Sequence, residues 1–156
     1  CYYKSKMDLV FLLDGSGSVG KSDFFKMADF TQRFIDGFEV GTNASEFGLM
    51  VFATYVNEQV SLGENKNKQE LLRAAKNLKY PSGGTDTAEG IADARKMFRH
   101  HGRHGVPKIA IVLTDGQSNS HSNTKEEARK LKEDQVTVFA IGKLIFKVLK
   151  IKFLFQ

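Results

Sequence analysis

Apolar runs and amphipathic stretches alternate along this chain. Leu9 to Leu13, Phe47 to Phe52 and Ile109 to Leu113 are apolar runs of strand length, and Val136 to Ile141 supplies another. Runs without a polar side suit strands buried in a sheet that helices cover on both faces. Tyr55 to Leu62 carries polar residues at intervals and reads as an edge strand, joined to its predecessor as a hairpin by the short connection at Ala53-Thr54. Between these runs, Ser22 to Phe38 places Met27, Phe30, Phe34 and Phe38 on one helical face. Asn67 to Leu78 does the same with Leu71, Leu72, Ala75 and Leu78, and Thr87 to Phe98 with Ile91, Ala94 and Phe98. Thr124 opens a further helix with a capping-box signature, its hydroxyl available to the amide three residues on and Glu127 able to reach back. Strands alternating with helices predict a doubly wound α/β fold with a mostly parallel central sheet, the second hairpin strand being the antiparallel exception.

The ends of two strands carry chemistry. The first run stops at Asp14-Gly15-Ser16-Gly17-Ser18, which offers one carboxylate and two hydroxyls at alternate positions. The run at Ile109 stops at Thr114-Asp115-Gly116, and between the two lies Ser82-Gly83-Gly84-Thr85-Asp86-Thr87. Ligands of open α/β sheets sit at the carboxyl ends of the strands, where Asp14 and Asp115 both fall. Oxygen donors rich in neutral hydroxyls, with neither thiolate nor imidazole, suit a small hard cation such as Mg²⁺, with waters or a partner's carboxylate completing the shell.

Taken in order, the three segments resemble the metal-ion-dependent adhesion site of von Willebrand factor A domains, and the resemblance runs from about Met7 to Gly142. That family has an Asp-x-Ser-x-Ser after its first strand, a Thr in a Gly-rich loop before a helix, and an Asp in a Thr-Asp-Gly after a later strand. Here these positions are Asp14, Ser16, Ser18, Thr85 and Asp115. The resemblance implies a Rossmann-like fold, a bound Mg²⁺ or Mn²⁺, and a binding function in which an Asp or Glu of a partner protein completes the ion's coordination. It implies further that partner choice rests on loops near Val19 to Ser22, Ser82 to Thr87 and Gly116 to Ser122. The kind most resembled is extracellular, as in matrilins and type VI collagens, with collagen or another matrix protein as partner. The runner-up is an intracellular A domain in which the metal site is structural or silent and the domain serves assembly.

Rival chemistries fit less well. Gly15-Ser16-Gly17-Ser18-Val19-Gly20 matches the Gly-x-Gly-x-x-Gly dinucleotide fingerprint, but Asp14 would put a negative charge beside the pyrophosphate, and Thr85 and Asp115 would have no role. Asp14 as a phosphoryl-accepting nucleophile lacks an acid two residues on, since position 16 is Ser. Neither a Ser-His-Asp set nor a cysteine nucleophile with a partner histidine is evident, so catalysis is not expected. Asp86 is expected at the rim of the binding face, tuning ligand choice, with Glu89 on a solvated helix surface. His100, His101 and His104 are close enough in sequence to suggest zinc, yet basic residues and glycine commonly end a helix, and this reading explains them without a metal. Of the thirteen phenylalanines, those in the body of the chain fall mostly in strands and on helix faces, where core packing accounts for them.

A chain of 156 residues suits one domain, with 26% charged residues as in soluble globular proteins. No apolar stretch reaches the roughly 18 to 20 residues that span a bilayer. The net charge is +5, but Lys143, Lys147, Lys150 and Lys152 lie in an acid-free end, and 5 less 4 leaves +1 for the rest. No basic stripe for nucleic acid remains. Cys1 is the sole cysteine; the resemblance implies a disulfide partner beyond Gln156 in a longer chain, the alternative being an unpaired thiol at a frayed end. Asn43-Ala44-Ser45 is a sequon in an expected loop, glycosylated if the protein is secreted. The expected boundaries are an A domain over 1–142, truncated at its C-terminal end, and a divergent basic and apolar tail over 143–156, read as an aberrant end, a substitute helix or strand, or a membrane-surface segment.

Overall fold

The computed structural model describes residues 5–64, 67–115 and 120–142. The tail from residue 143 and Cys1 lie outside them. Strand β1 (Asp8–Asp14) leads into helix α1 (Lys21–Asp36), then the hairpin of β2 (Glu46–Phe52) and β3 (Val56–Val60). Helices α2 (Lys68–Lys76) and α3 (Thr87–His101) follow, then β4 (Lys108–Thr114), α4 (His121–Glu133) and β5 (Val136–Gly142). The sheet order is β3-β2-β1-β4-β5. β1 runs parallel to β2 and β4, β4 parallel to β5, and only β3 is antiparallel. The expected doubly wound fold is therefore present.

Residues of β1 alternate between two cores. Leu9, Phe11 and Leu13 face Phe24, Met27 and Ile35 of α1 and Leu71 and Ala75 of α2. Val10 and Leu12 face Ile91, Ala94, Met97 and Phe98 of α3 and Leu131 of α4. With every residue of β1 and β2 buried, period-2 alternation is invisible in their sequences, as befits strands covered on both sides.

Two details differ from the expected helices. The buried face of α1 is Phe24, Met27, Ala28, Thr31 and Ile35, while Phe30 and Phe34 are only partly buried beside it. Phe34 meets Phe11 edge-on at 5.3 Å and stacks on Phe38 at 5.0 Å, so that stripe joins the margin of the core as an aromatic cluster. α4 starts three residues before Thr124, and Ser120 caps it by accepting from the Asn123 amide; Thr124 donates back to the Ser120 carbonyl at 2.7 Å, so the expected capping box does not form. Among the large apolar residues, Phe25 and Phe139 are exposed exceptions to core packing.

At the amino ends of the strands, Arg103 follows α3 and clamps several segments. Its amide and Nε each donate to the Asp8 carboxylate at 2.7 Å, Nη2 donates to the Met7 carbonyl and Nη1 to that of Thr42. Glu46 lies 3.6 Å from Nε. Asp8 is fully buried, and this clamp meets its charge.

Candidate metal centre

β1 occupies the middle of the sheet: α1 carries the chain from it to β2 on one side, and after β3 the chain crosses through α2 and α3 to β4 on the other. The crevice beyond the carboxyl ends of β1 and β4 is the topological switch point where such sheets bind ligands. Asp14 ends β1 and Asp115 directly follows β4.

Asp14 is fully buried and both of its oxygens are held. Oδ1 accepts the Ser16 amide at 3.0 Å, and Oδ2 accepts the Thr114 hydroxyl at 2.7 Å. Burial pushes its pKa above the ordinary 3.8, the hydrogen bonds from Ser16 and Thr114 oppose that rise, and the neighbouring Asp115 charge adds to it. Ser16 is buried and its hydroxyl lies 3.0 Å from that of Ser18, which is exposed.

The Gly-rich loop is pressed against this turn. Ser82 and Gly83 both have positive φ, 60° and 107°, which folds the loop back until the Gly83 carbonyl accepts the Gly17 amide at 2.9 Å. A non-glycine residue in this region is uncommon and concentrates at functional loops. Thr85 follows, 6% exposed. Tyr80 donates its hydroxyl to the Ser16 carbonyl at 3.2 Å, tying the same loop to the first. The structure thus brings Asp14, Ser16 and Ser18 into one turn, sets the loop of Thr85 against it, and joins it through Thr114 to the strand that carries Asp115. Residues 116–119 lie outside the described ones, and with them most of the third loop expected to set partner choice.

Asp86, expected at the rim, caps α3: its side chain accepts the Glu89 amide at 3.0 Å. Thr114, Tyr80 and Thr54 are not among the residues to which the sequence points. Thr114 precedes Asp115 and could have been suspected; the other two leave no local signal. His100 and His101 occupy the last turn of α3, where basic groups favour the helix dipole. Gly102 ends that helix in an extended conformation, and a Cβ there would lie 2.3 Å from the Phe98 carbonyl oxygen, so crowding rather than a left-handed turn calls for glycine. Among the described residues no group of three or more His, Cys, Asp or Glu is placed to hold a metal. The centre at Asp14 has a different composition, two carboxylates amid hydroxyls, and that donor set fits a hard divalent cation.

Gly15 sits where a Cβ would meet Pro81 Cδ at 2.6 Å and Val51 Cγ1 at 2.9 Å. Gly15→Ala is expected to cost about 1–3 kcal/mol by overpacking and to weaken metal binding by pushing the Pro81 loop off Asp14. Denaturant unfolding and a metal titration of the variant measure both effects.

Fold and site together define a doubly wound α/β domain with an oxygen-lined centre at the switch point of its sheet. The chain belongs to the von Willebrand factor type A domain family, which matches residues 8–148. It is 33% identical to chicken (Gallus gallus) matrilin-1 over 141 residues, covering 88% of this chain and 28% of that protein. Against the mouse (Mus musculus) collagen alpha-4(VI) chain it is 32% identical, covering 91% of this chain and 6% of the other. Among solved structures it is similar to proximal thread matrix protein 1 of the mussel byssus with a zinc-occupied metal-ion-dependent adhesion site motif, with a TM-score of 0.81 and 27% identity, covering 92% of this chain and 39% of that one. The chain thus spans less than a third of the length of these curated relatives. It is an adhesion-type A domain related to matrilins and collagen VI.

Proposed function

We propose that this domain binds a partner protein through a divalent cation, as part of an extracellular matrix protein. The observation that carries this reading is Asp14: a carboxylate buried at the switch point, fixed at both oxygens, raised in pKa and set near a second carboxylate. Such a pair is unfavourable alone and favourable around a cation. Asp14, Ser16, Ser18, Thr85 and Asp115 would hold Mg²⁺ or Mn²⁺, directly or through water. The ion supplies a positive position that an Asp or Glu of the partner can fill. Ser16, Ser18 and Thr85 are neutral donors, so they leave the cation's charge largely uncancelled for that incoming carboxylate. Thr114 orients Asp14, and the Gly83 contact fixes how near Thr85 stands. The role is binding, not turnover. Among the described residues no helix is long and apolar enough to cross a membrane.

A matrix location, with collagen or another matrix protein as partner, is supported by the kinship with a matrilin, collagen chains and a byssus matrix protein. Calorimetric titration with Mg²⁺ and Mn²⁺ tests the reading. Saturable binding is expected, and its absence from a folded chain would remove the metal-dependent mechanism.

Secretion would bring Asn43 before the glycosylation machinery. Asn43 is exposed in the turn before β2, at the amino ends of the strands and so at the opposite pole from Asp14. In chain secreted from animal cells, glycosidase treatment is expected to lower the mass of the parent but not of Asn43→Gln. Equal masses for untreated parent and variant would withdraw the site.

A further inference from the structure

We infer that Tyr55 is a second anchor for the partner beside the metal centre, taking an apolar side chain that neighbours the metal-bound carboxylate in the partner's sequence. This rests on the metal-dependent reading above and gives it a partner chemistry.

A lone exposed aromatic is ordinary on a protein surface. Tyr55 is distinguished by its place. It is 74% exposed, more than Phe25 or Phe139, and it lies at the turn of the β2–β3 hairpin, at the same end of the sheet as Asp14. Phe52, three residues before it, is the register partner of Asp14, and the Phe52 carbonyl accepts the Gly15 amide at 2.7 Å. The turn is tied as closely to the Gly-rich loop. Thr54 Oγ1 accepts the Gly84 amide at 2.8 Å, and the Ala53 carbonyl accepts the Asp86 amide at 2.8 Å. A Cβ on Gly83 would stand 2.6 Å from Thr54 Oγ1, a measure of how closely the two loops approach.

The hairpin turn is therefore held by hydrogen bonds to both loops of the proposed centre, and the Tyr55 ring is presented on a fixed mount. A mount of this kind lowers the ordering cost of binding. Tyrosine offers large apolar area with few rotatable bonds, and it is enriched among residues that dominate interfaces. The surroundings select the occupant. Ala53, Thr54 and Val56 on the hairpin and Pro81, Ser82, Gly83 and Gly84 on the loop carry no charge, and the first charged residue along the hairpin is Glu58. An apolar side chain loses nothing there, and the charged residue bonded to the hairpin, Asp86, already commits its carboxylate to the α3 cap, so a charged side chain would gain little from it. The occupant is an extended segment of the partner protein with an Asp or Glu and an apolar residue close by.

A random peptide library displayed on phage, selected on this protein in Mg²⁺ and eluted with EDTA, tests the inference. The eluted peptides are expected to share an acidic and an apolar residue at fixed spacing. Tyr55→Ala is expected to weaken them about tenfold or more, while Tyr55→Phe, which keeps the ring, retains binding. Both variants should keep the parent's unfolding temperature and Mg²⁺ affinity, because the side chain is exposed. EDTA-sensitive peptides that bind Tyr55→Ala as well as the parent would overturn the anchor and leave the metal reading intact. Failure of any peptide to elute with EDTA would overturn the metal-mediated reading, and the anchor with it.

Discussion

Asp14→Asn is expected to abolish saturable Mg²⁺ and Mn²⁺ binding while leaving the metal-free domain at least as stable as the parent at neutral pH. The two effects have one cause. In the folded chain the Asp14 carboxyl titrates above its ordinary value of 3.8, first because it is buried, while Asp115 adds repulsion. A carboxylate whose pKa is raised on folding destabilises the fold when ionised: stability falls as pH rises from the ordinary value through the raised one, and stays lower above it. Asparagine has no such charge, and its carbonyl can still accept one of the two hydrogen bonds that Ser16 and Thr114 donate.

A bound cation reverses the account for the parent, since it needs the ionised form. At a metal concentration a hundred times the dissociation constant, the parent should gain about 2.7 kcal/mol and the variant nothing. Protons compete with the metal for Asp14, so parent affinity should fall on acidification at a higher pH than for an unperturbed aspartate. Thermal unfolding with and without metal at several pH values reads all of this. A variant that still gains stability from Mg²⁺ would place the ion elsewhere.

Arg103→Met is expected to be the most damaging single change to the fold, costing about 3–5 kcal/mol, because it leaves a buried charge without its partner. Asp8 is fully buried, and Arg103 donates to both of its oxygens while holding the carbonyls of Met7 and Thr42. The Arg103 amide would still reach Asp8, so the loss falls on the guanidinium contacts. Lysine should not rescue, since one ammonium cannot reproduce the fork that reaches the Asp8 carboxylate and the carbonyls of Met7 and Thr42 at once. Adding Asp8→Asn to Arg103→Met should recover part of the loss by removing the orphaned charge. Urea unfolding midpoints of the three variants measure this. A double variant no more stable than Arg103→Met would mean that the carbonyl contacts, not the charge of Asp8, govern the clamp.

Much of the fold was legible because it depends on local periodicity. The buried strands announce themselves as apolar runs, and the predicted helices are present with shifted ends. α1 shows where this fails: the spacing of Met27, Phe30, Phe34 and Phe38 is helical, yet Phe30 and Phe34 sit at the margin of the core while Phe24, Ala28, Thr31 and Ile35 are buried in it. Two faces of similar apolarity cannot be ranked from sequence. At α4, Thr124 and Glu127 have the right spacing for a capping box, but Ser120 offers a cap one turn earlier, and nothing local decides between them.

The sequence by itself determined the alternation of strands and helices, the sheet edge at which Asp14 and Asp115 emerge, and the oxygen character of the proposed metal ligands, because residue type and short spacing encode these directly. Only the tertiary structure decided which groups set their geometry. Thr114 holds Asp14 across 100 residues of sequence, Arg103 clamps Asp8 across 95, and Thr54 ties the Tyr55 hairpin to the Gly-rich loop across 30. Such contacts exist only after the crossovers have set β4 beside β1 and the hairpin beside the loop, and no local pattern carries that information.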